Sequence, residues 1–419
     1  MRVAMLSYHT CPLATLGGKD TGGMNVYVRD LTRELGRMGV GVDVFTRSQD
    51  EHVPHILHDL GHGNRVVHLP AGPERPLEKH ELSHYLPSFV EGVMRFAREK
   101  DLHYQIIHGH YWLSGLAGLE LRRTWHVPLV QMFHTLAVMK NRVARAEEER
   151  SSEERVQGEQ GLMSHADWIV AATPAELAQI QWLYQADTEK VVVIPPGVDT
   201  ARFYPIPQDE AKEFIGHPLQ GCMVLFVGRI EPLKGIDTLL EAVAIMRKDG
   251  FLDLNPICLA IIGGDPHVSR ERMNAELERL KALSERLGIG DLVMFLGRRN
   301  QDTLQYYYSA AEVVVVPSHY ESFGMVALEA MACGSPVVAS ETGGLAFLVR
   351  DGETGFHVPA GDAQALAGRL KQLMQDEKLR TEMGQRAAEY ARGFDWSIIG
   401  KRILDLYHQA IRSASDHPA

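Results

Sequence analysis

The chain has 419 residues, too many for one ordinary hydrophobic core, so two domains are expected. Hydrophobic residues make up 45% and charged residues 23%, the balance of a globular protein that lives in water. The formal net charge of −11 argues against non-specific nucleic-acid binding and against docking on anionic lipid, though not against a local basic pocket for a phosphorylated small molecule.

The first half reads as short β-branched runs alternating with amphipathic segments. Strands are expected at Val3–Ser7, Val40–Phe45, Val66–Leu69, Ile106–His108, Leu129–Phe133, Trp168–Ala172 and Val191–Ile194. A break follows from Pro195-Pro196-Gly197 to Pro205-Ile206-Pro207, where proline and glycine crowd and the apolar period lapses. The second half repeats the pattern at Met223–Val227, Ile257–Ile262, Val293–Leu296, Val313–Val316, Val337–Ala339 and Gly355–Val358. Continuous apolar strands separated by helices predict parallel sheets buried on both faces. The fold class is therefore α/β: two doubly wound Rossmann-like domains, 1–200 and 210–395, facing across a cleft. A last helix, 396–415, carries Ile398, Ile399, Ile403, Leu404, Leu406 and Tyr407 and is expected to pack back on the first domain.

Cys11, Cys222, Cys258 and Cys333 are far apart and form no C-x-x-C pair, which predicts free thiols in a reducing compartment. No apolar run has the length of a signal peptide or a membrane span, so cytoplasmic residence is expected.

In open parallel sheets, ligands sit beyond the carboxyl ends of the strands. Glu321-Ser322-Phe323-Gly324 and the helix to Cys333 follow one such strand and place Glu321 and Glu329 eight residues apart. A helix start there offers amides to a phosphate, and the carboxylates suit sugar and ribose hydroxyls. The same pattern also fits an ordinary helix N-terminus whose acids complement its dipole. Gly228-Arg229 and Lys234-Gly235 follow another strand and put two cations where a departing diphosphate would gain charge. Gly22-Gly23-Met24-Asn25 opens the first helix, so a ligand could approach its backbone closely. His134-Thr135 follows a strand, as does His108-Gly109-His110; the latter reads as loop histidines, since no third metal ligand is evident nearby. Tyr111, Lys79, Lys140 and Arg155 are scattered polar candidates, with Ser151-x-x-Glu154 read as a capping box before Arg155. Arg122-Arg123 with Trp125 is the one candidate for a membrane-facing patch.

Taken in order, Gly22-Gly23, His134-Thr135, Gly228-Arg229-x4-Lys234-Gly235 and Glu321-x7-Glu329 resemble the family-4 retaining glycosyltransferases of the GT-B fold, over nearly the whole chain. Asp20-Thr21-Gly22-Gly23-Met24-Asn25, His110-Tyr111-Trp112 and Ala71-Gly72-Pro73 leading to Lys79 are most similar to the branch that glycosylates inositol 3-phosphate in mycothiol synthesis. The acid-rich stretch Met139–Arg155 departs from that branch, as does the proline-free Gly297-Arg298-Arg299-Asn300-Gln301. Sucrose-phosphate synthases share the framework, but their glycine motif usually reads Gly-Gly-Gln.

The resemblance implies an N-terminal acceptor domain and a C-terminal domain for a nucleotide diphosphate sugar, with UDP-N-acetylglucosamine as donor. By position it implies catalytic roles for Arg229, Lys234, Glu321 and His134. Donor binding would fall to Gly22, Gly23, Arg298, Ser322, Phe323, Gly324 and Glu329. Acceptor binding would fall to His9, Asp20, Asn25, Lys79, Tyr111, Thr135 and Arg155. No cofactor is expected; a divalent ion such as Mg2+ is compatible but not predicted, because the two cations can replace it. Expected partners are the sugar nucleotide and a phosphorylated small-molecule acceptor, with no nucleic acid and no integral membrane contact. A homodimer is compatible with the sequence, which does not fix the oligomeric state. The alternatives are glucose transfer to fructose 6-phosphate, a lipid glycosyltransferase and a nucleotide-sugar epimerase.

Overall fold

The structure is a computed structural model and describes residues 1–14, 21–144, 147, 150–216, 222–264 and 273–416. In the first half the strands are β1 (Arg2–Leu6), β2 (Gly41–Arg47), β3 (Ile56–Leu57), β4 (Arg65–Leu69), β5 (Ile106–His110), β6 (Leu129–Met132), β7 (Trp168–Ala171) and β8 (Val191–Val193). They form one sheet in the order β3-β4-β2-β1-β5-β6-β7-β8. Every pairing is parallel except β3 with β4. β1 is apolar on both faces, and Val3 to Leu6 are fully buried, as a central parallel strand covered by helices requires.

In the second half, β9 (Cys222–Val227), β10 (Ile257–Ile262), β11 (Val293–Gly297), β12 (Val313–Val316), β13 (Val337–Ser340) and β14 (Gly355–Val358) form a wholly parallel sheet in the order β11-β10-β9-β12-β13-β14. Val313, Val314 and Val315 are fully buried, so this polyvaline run serves as a core strand. Every strand expected from the sequence is present, with ends within two residues. The addition is β3, too short at two residues to leave a pattern.

Contacts divide the chain into two units. The first holds residues up to Ala14, Gly23–Gly197 and the helix Trp396–Asp416; the second holds Val198–Asp395, with Thr21 and Gly22 grouped alongside it. Ile399, Ile403, Leu406, Tyr407 and Ala410 of the last helix are buried at helical spacing, whereas Ile398 is exposed and does not join that face. Gly400 sits where a Cβ would come 2.8 Å from Glu34 Cγ, so its bare Cα lets this helix lie close on Gly23–Arg37.

Strand order reverses between β1 and β5 in one sheet and between β9 and β12 in the other. These are the switch points where the carboxyl ends of neighbouring strands diverge and leave room for a ligand. The loops there are Ser7–Thr10 with Tyr111 in the first unit, and Gly228–Gly235 with Pro317–Gly324 in the second.

Candidate active site

In the second unit, the loop after β9 is laced to the loop after β12. Gly235 has φ 65°, and a Cβ there would lie 2.0 Å from the Pro317 carbonyl oxygen, so only glycine fits. His319 N–H donates to the Leu233 carbonyl at 2.8 Å. This closure brings Lys234 Nζ to 2.5 Å from Glu321 Oε2. Arg229 Nη1 lies 2.8 Å from Glu231 Oε1. Gly22, grouped with this unit, is placed so that a Cβ would be 3.8 Å from Arg229 Nε. Each cation thus has a carboxylate partner, and the four groups sum to zero charge. Glu231 had no place in the sequence reading, although its spacing from Arg229 was visible.

Gly324 has φ 105° and precedes the helix Met325–Ala332. The strand-to-helix turn before it is held by a second missed motif, Thr342-Gly343-Gly344. Gly344 N–H donates to the Glu321 carbonyl at 2.8 Å. A Cβ on Gly344 would fall 2.3 Å from Phe323 Cα, and one on Gly343 would fall 2.1 Å from the Glu321 oxygen. Glu329 is 5% exposed, and the Tyr308 hydroxyl donates to its Oε2 at 2.8 Å. Arg298 stands just beyond β11, at the outer edge of the sheet, two strands from β9.

In the first unit, the His9 and Tyr111 rings lie 4.4 Å apart, and the Arg155 guanidinium lies 4.8 Å from the Tyr111 ring centre. Arg155 Nη2 donates to the Thr135 carbonyl (2.7 Å) and to Thr135 Oγ1 (3.0 Å). Its Nε donates to Glu159 Oε1 at 2.7 Å. Glu159 is fully buried and also accepts from the Ala137 N–H (2.9 Å) and the Tyr184 hydroxyl. Four of the expected acceptor residues, His9, Tyr111, Thr135 and Arg155, are therefore one contiguous cluster. Glu159 and Tyr184, which the sequence reading missed, orient it. Arg155 itself is 6% exposed, so its charge is held by Glu159 in this state.

Asn25 is buried and donates to Thr10 Oγ1 and the Cys11 carbonyl, both at 2.8 Å, which shapes the loop after β1. Gly23 opens the helix Gly23–Arg37. Asp20 lies outside the described residues. Lys79 opens the short helix Lys79–Leu82, and its side chain lies outside the described set. The loop before it is pinned by Arg47, a 1% exposed arginine that donates to the Pro73 (2.7 Å) and Arg75 (2.6 Å) carbonyls.

His134 adopts φ 61°, and its Nε2 lies 3.0 Å from His110 Nδ1. Burial, then nearby His108 and His9, push its pKa down to about 3.

Several expectations need correction. His108 and His110 lie in β5 rather than in a loop, because the strand runs on to His110 and both rings are fully buried. The cap before Arg155 is Ser152, whose side chain accepts from the Arg155 N–H; Ser151 instead donates its own N–H to Asn141 Oδ1 at 2.6 Å. The Arg122–Trp125 patch is neutralised. Arg122 forms a fork with Asp167 (2.6 and 2.7 Å), Arg123 pairs with Glu120 (3.1 Å), and Trp125 stacks on Tyr104. Among the described residues, no cluster of His, Cys, Asp or Glu is placed to hold a metal ion, and no helix is long and apolar enough to cross a membrane.

Comparison with known proteins bears on both units. The family model described as Glycosyltransferase Family 4 matches residues 21–202, and that described as Glycosyl transferases group 1 matches residues 207–390. A protein of Actinosynnema mirum named D-inositol 3-phosphate glycosyltransferase is 42% identical over 98% of this chain and 97% of its own length. One of the same name from Acidothermus cellulolyticus is 42% identical over 98% of this chain and 90% of its own. The solved sucrose-phosphate synthase of Thermosynechococcus elongatus superposes with a TM-score of 0.89 at 35% identity, covering 98% of this chain and 99% of that one. Anabaena HepE in complex with UDP and glucose shares the fold, with a TM-score of 0.75 at 22% identity over 97% of this chain and 99% of that one. Two parallel-sheet units, ligand loops at both switch points and these full-length relatives make the chain a member of the family-4 glycosyltransferases of the GT-B fold, and an enzyme that transfers a glycosyl group.

Proposed function

We propose that this glycosyltransferase moves a sugar, with retention of configuration, from UDP-N-acetylglucosamine or another UDP-sugar to a hydroxyl of inositol 3-phosphate. The second unit would take the donor and the first unit the acceptor. The observation that carries the reading is the His9–Tyr111–Thr135–Arg155 cluster at the carboxyl ends of β1, β5 and β6. Acceptor binding would draw the Arg155 guanidinium from Glu159 and Thr135, and an arginine fork beside the Tyr111 and Thr135 hydroxyls then has the chemistry that recognises a phosphate monoester. The names of the full-length relatives support the same acceptor.

When the glycosidic C–O bond breaks, negative charge grows on the departing diphosphate. Arg229 and Lys234 would stabilise that charge more in the transition state than in the ground state. Donor binding would draw Lys234 from Glu321 toward the phosphate, and Glu321 would then accept from sugar hydroxyls. Tyr308 fixes one oxygen of Glu329, which orients that carboxylate for the ribose diol. In a front-face route, the acceptor hydroxyl gives its proton to the leaving phosphate oxygen as its own oxygen bonds the anomeric carbon. No protein nucleophile is then needed, and the new bond keeps the old configuration.

Transfer of glucose to fructose 6-phosphate is the second reading, favoured by the sucrose-phosphate synthase superposition but with lower identity than the inositol phosphate relatives. The test is a mass-spectrometric screen of UDP-, ADP- and GDP-sugars against inositol 3-phosphate and fructose 6-phosphate, with the product's anomeric configuration read by NMR. A retained glycoside of inositol 3-phosphate is expected. Product from fructose 6-phosphate alone would transfer the assignment to the second reading, and an altered sugar nucleotide without acceptor would mean epimerisation.

A further inference from the structure

We propose that His110 is a positioning residue for glycosyl transfer: it fixes the ring, and through the ring the backbone, of His134. The inference rests on the catalytic role that the family resemblance implies for His134.

His110 ends β5 and is fully buried. Its Nδ1 lies 3.0 Å from His134 Nε2. The ring has His108 at 4.2 Å on one side and Tyr27 at 5.5 Å. His108 is fixed in turn by the Tyr407 hydroxyl, 2.7 Å from its Nδ1. His110 therefore cannot turn without disturbing β5, the helix Gly23–Arg37 and the C-terminal helix. His134, by contrast, begins a loop and sits at φ 61°, a conformation that residues with a Cβ avoid. A residue kept in that region needs surroundings that over-determine it. Two described contacts do this through the His134 ring: the bond to His110, which fixes its rotation, and the Tyr27 ring, edge-on at 5.2 Å.

The bond also sets a tautomer. Both rings are held neutral by burial, so one nitrogen donates and the other accepts. His110 Nε2 is buried with no hydrogen-bond partner among the described residues. A bare buried N–H is less tolerable than a bare acceptor, which puts the His110 proton on Nδ1, donating to His134 Nε2. His134 then carries its own proton on Nδ1 and is a fixed donor there.

The test compares two amides of the same chemistry but different reach. His110→Asn places its amide near the Nδ1 position, whereas His110→Gln reaches the Nε2 position. With the family's transfer reaction as readout, His110→Asn should stay within about threefold of wild-type kcat. His110→Gln and His110→Phe should lose about tenfold or more, with either KM changed less than about threefold, the loss expected when a left-handed residue is released. In a His134→Gly background, where that conformation is free, His110→Phe should cost less than about twofold. Equal kcat for the Asn and Gln variants, or the same loss in both backgrounds, would overturn the proposal. Unchanged kcat in His134→Ala would instead overturn the catalytic role of His134 itself, which separates the two failures.

Discussion

Lowering the pH from about 7 to about 5 perturbs the histidine cluster of the first unit in a direction the structure fixes. His108 is lowered to about 3 by burial, and His134 to about 3 by burial and by nearby His108 and His9. His110 is lowered well below its ordinary 6.5, by burial and its two histidine neighbours. The folded chain leaves all three neutral, while the unfolded chain protonates each near 6.5. These groups therefore contribute stability that is present above that value and lost as pH falls below it. Glu176 works in the opposite sense. Burial raises it from 4.5 to about 7, so the folded chain holds its proton across that window and its contribution falls as pH rises. Near pH 5.5 the unfolded chain takes up about three protons on these three histidines and releases about one from Glu176, a net of about two from these four groups, and His68, lowered by burial and by nearby His55, adds in the same direction. The four groups together give about 2.7 kcal/mol of stability lost per pH unit. All five tryptophans, at 112, 125, 168, 182 and 396, lie in the first unit, so urea melts read by tryptophan fluorescence isolate its unfolding. His108→Phe should remove about one proton, and about 1.4 kcal/mol, from the slope per pH unit. A flat stability between pH 6 and 5, or a slope untouched by that substitution, would refute the packing argument.

Three further outcomes are expected. Arg229→Ala and Lys234→Ala should each lower kcat by about a hundred- to a thousand-fold, the cost of losing one donor to developing charge; near-normal steady-state turnover of either variant would remove that cation from the mechanism. Arg155→Ala should raise the acceptor KM more than the donor KM. It should also destabilise the first unit by about 3–5 kcal/mol because Glu159 is left buried and unpaired, and adding Glu159→Gln should recover part of that loss in the same fluorescence melts; equal KM effects would tell against phosphate recognition. Gly235→Ala must move the Gly235–Pro317 contact, since its Cβ would lie 2.0 Å from a carbonyl oxygen, and should cost about 1–3 kcal/mol and displace Lys234; an unchanged melting temperature and kcat would show that the loop is free to adjust.

The parallel strands were legible because a strand buried on both faces writes itself as an unbroken apolar run, as in Val313–Val316 and Ile257–Ile262. β5 was read two residues short because His108 and His110 interrupt that run, and nothing local reveals that Tyr407, far along the chain, would satisfy one of them. The cations and carboxylates of the site could be picked out singly. Their pairings could not, because Lys234–Glu321 depends on loops from two strands meeting at a switch point, and Arg155–Thr135 on how the segment between β6 and β7 folds back on itself. The Gly343-Gly344 pair was present in plain sight, but its need for small size arises only when the Glu321–Phe323 backbone comes to lie against it. Glu159 and Tyr184 behave similarly: each is an unremarkable helical residue until Arg155 is buried beside them.

The central claim is that the acceptor is chosen by its phosphate. With UDP-N-acetylglucosamine as donor, the ratio of kcat/KM for inositol 3-phosphate to that for unphosphorylated inositol tests it most directly. Two charge-assisted hydrogen bonds predict a preference of about a hundredfold or more, collapsing toward unity in Arg155→Ala. Equal kcat/KM for the two acceptors in the wild-type enzyme would contradict the account.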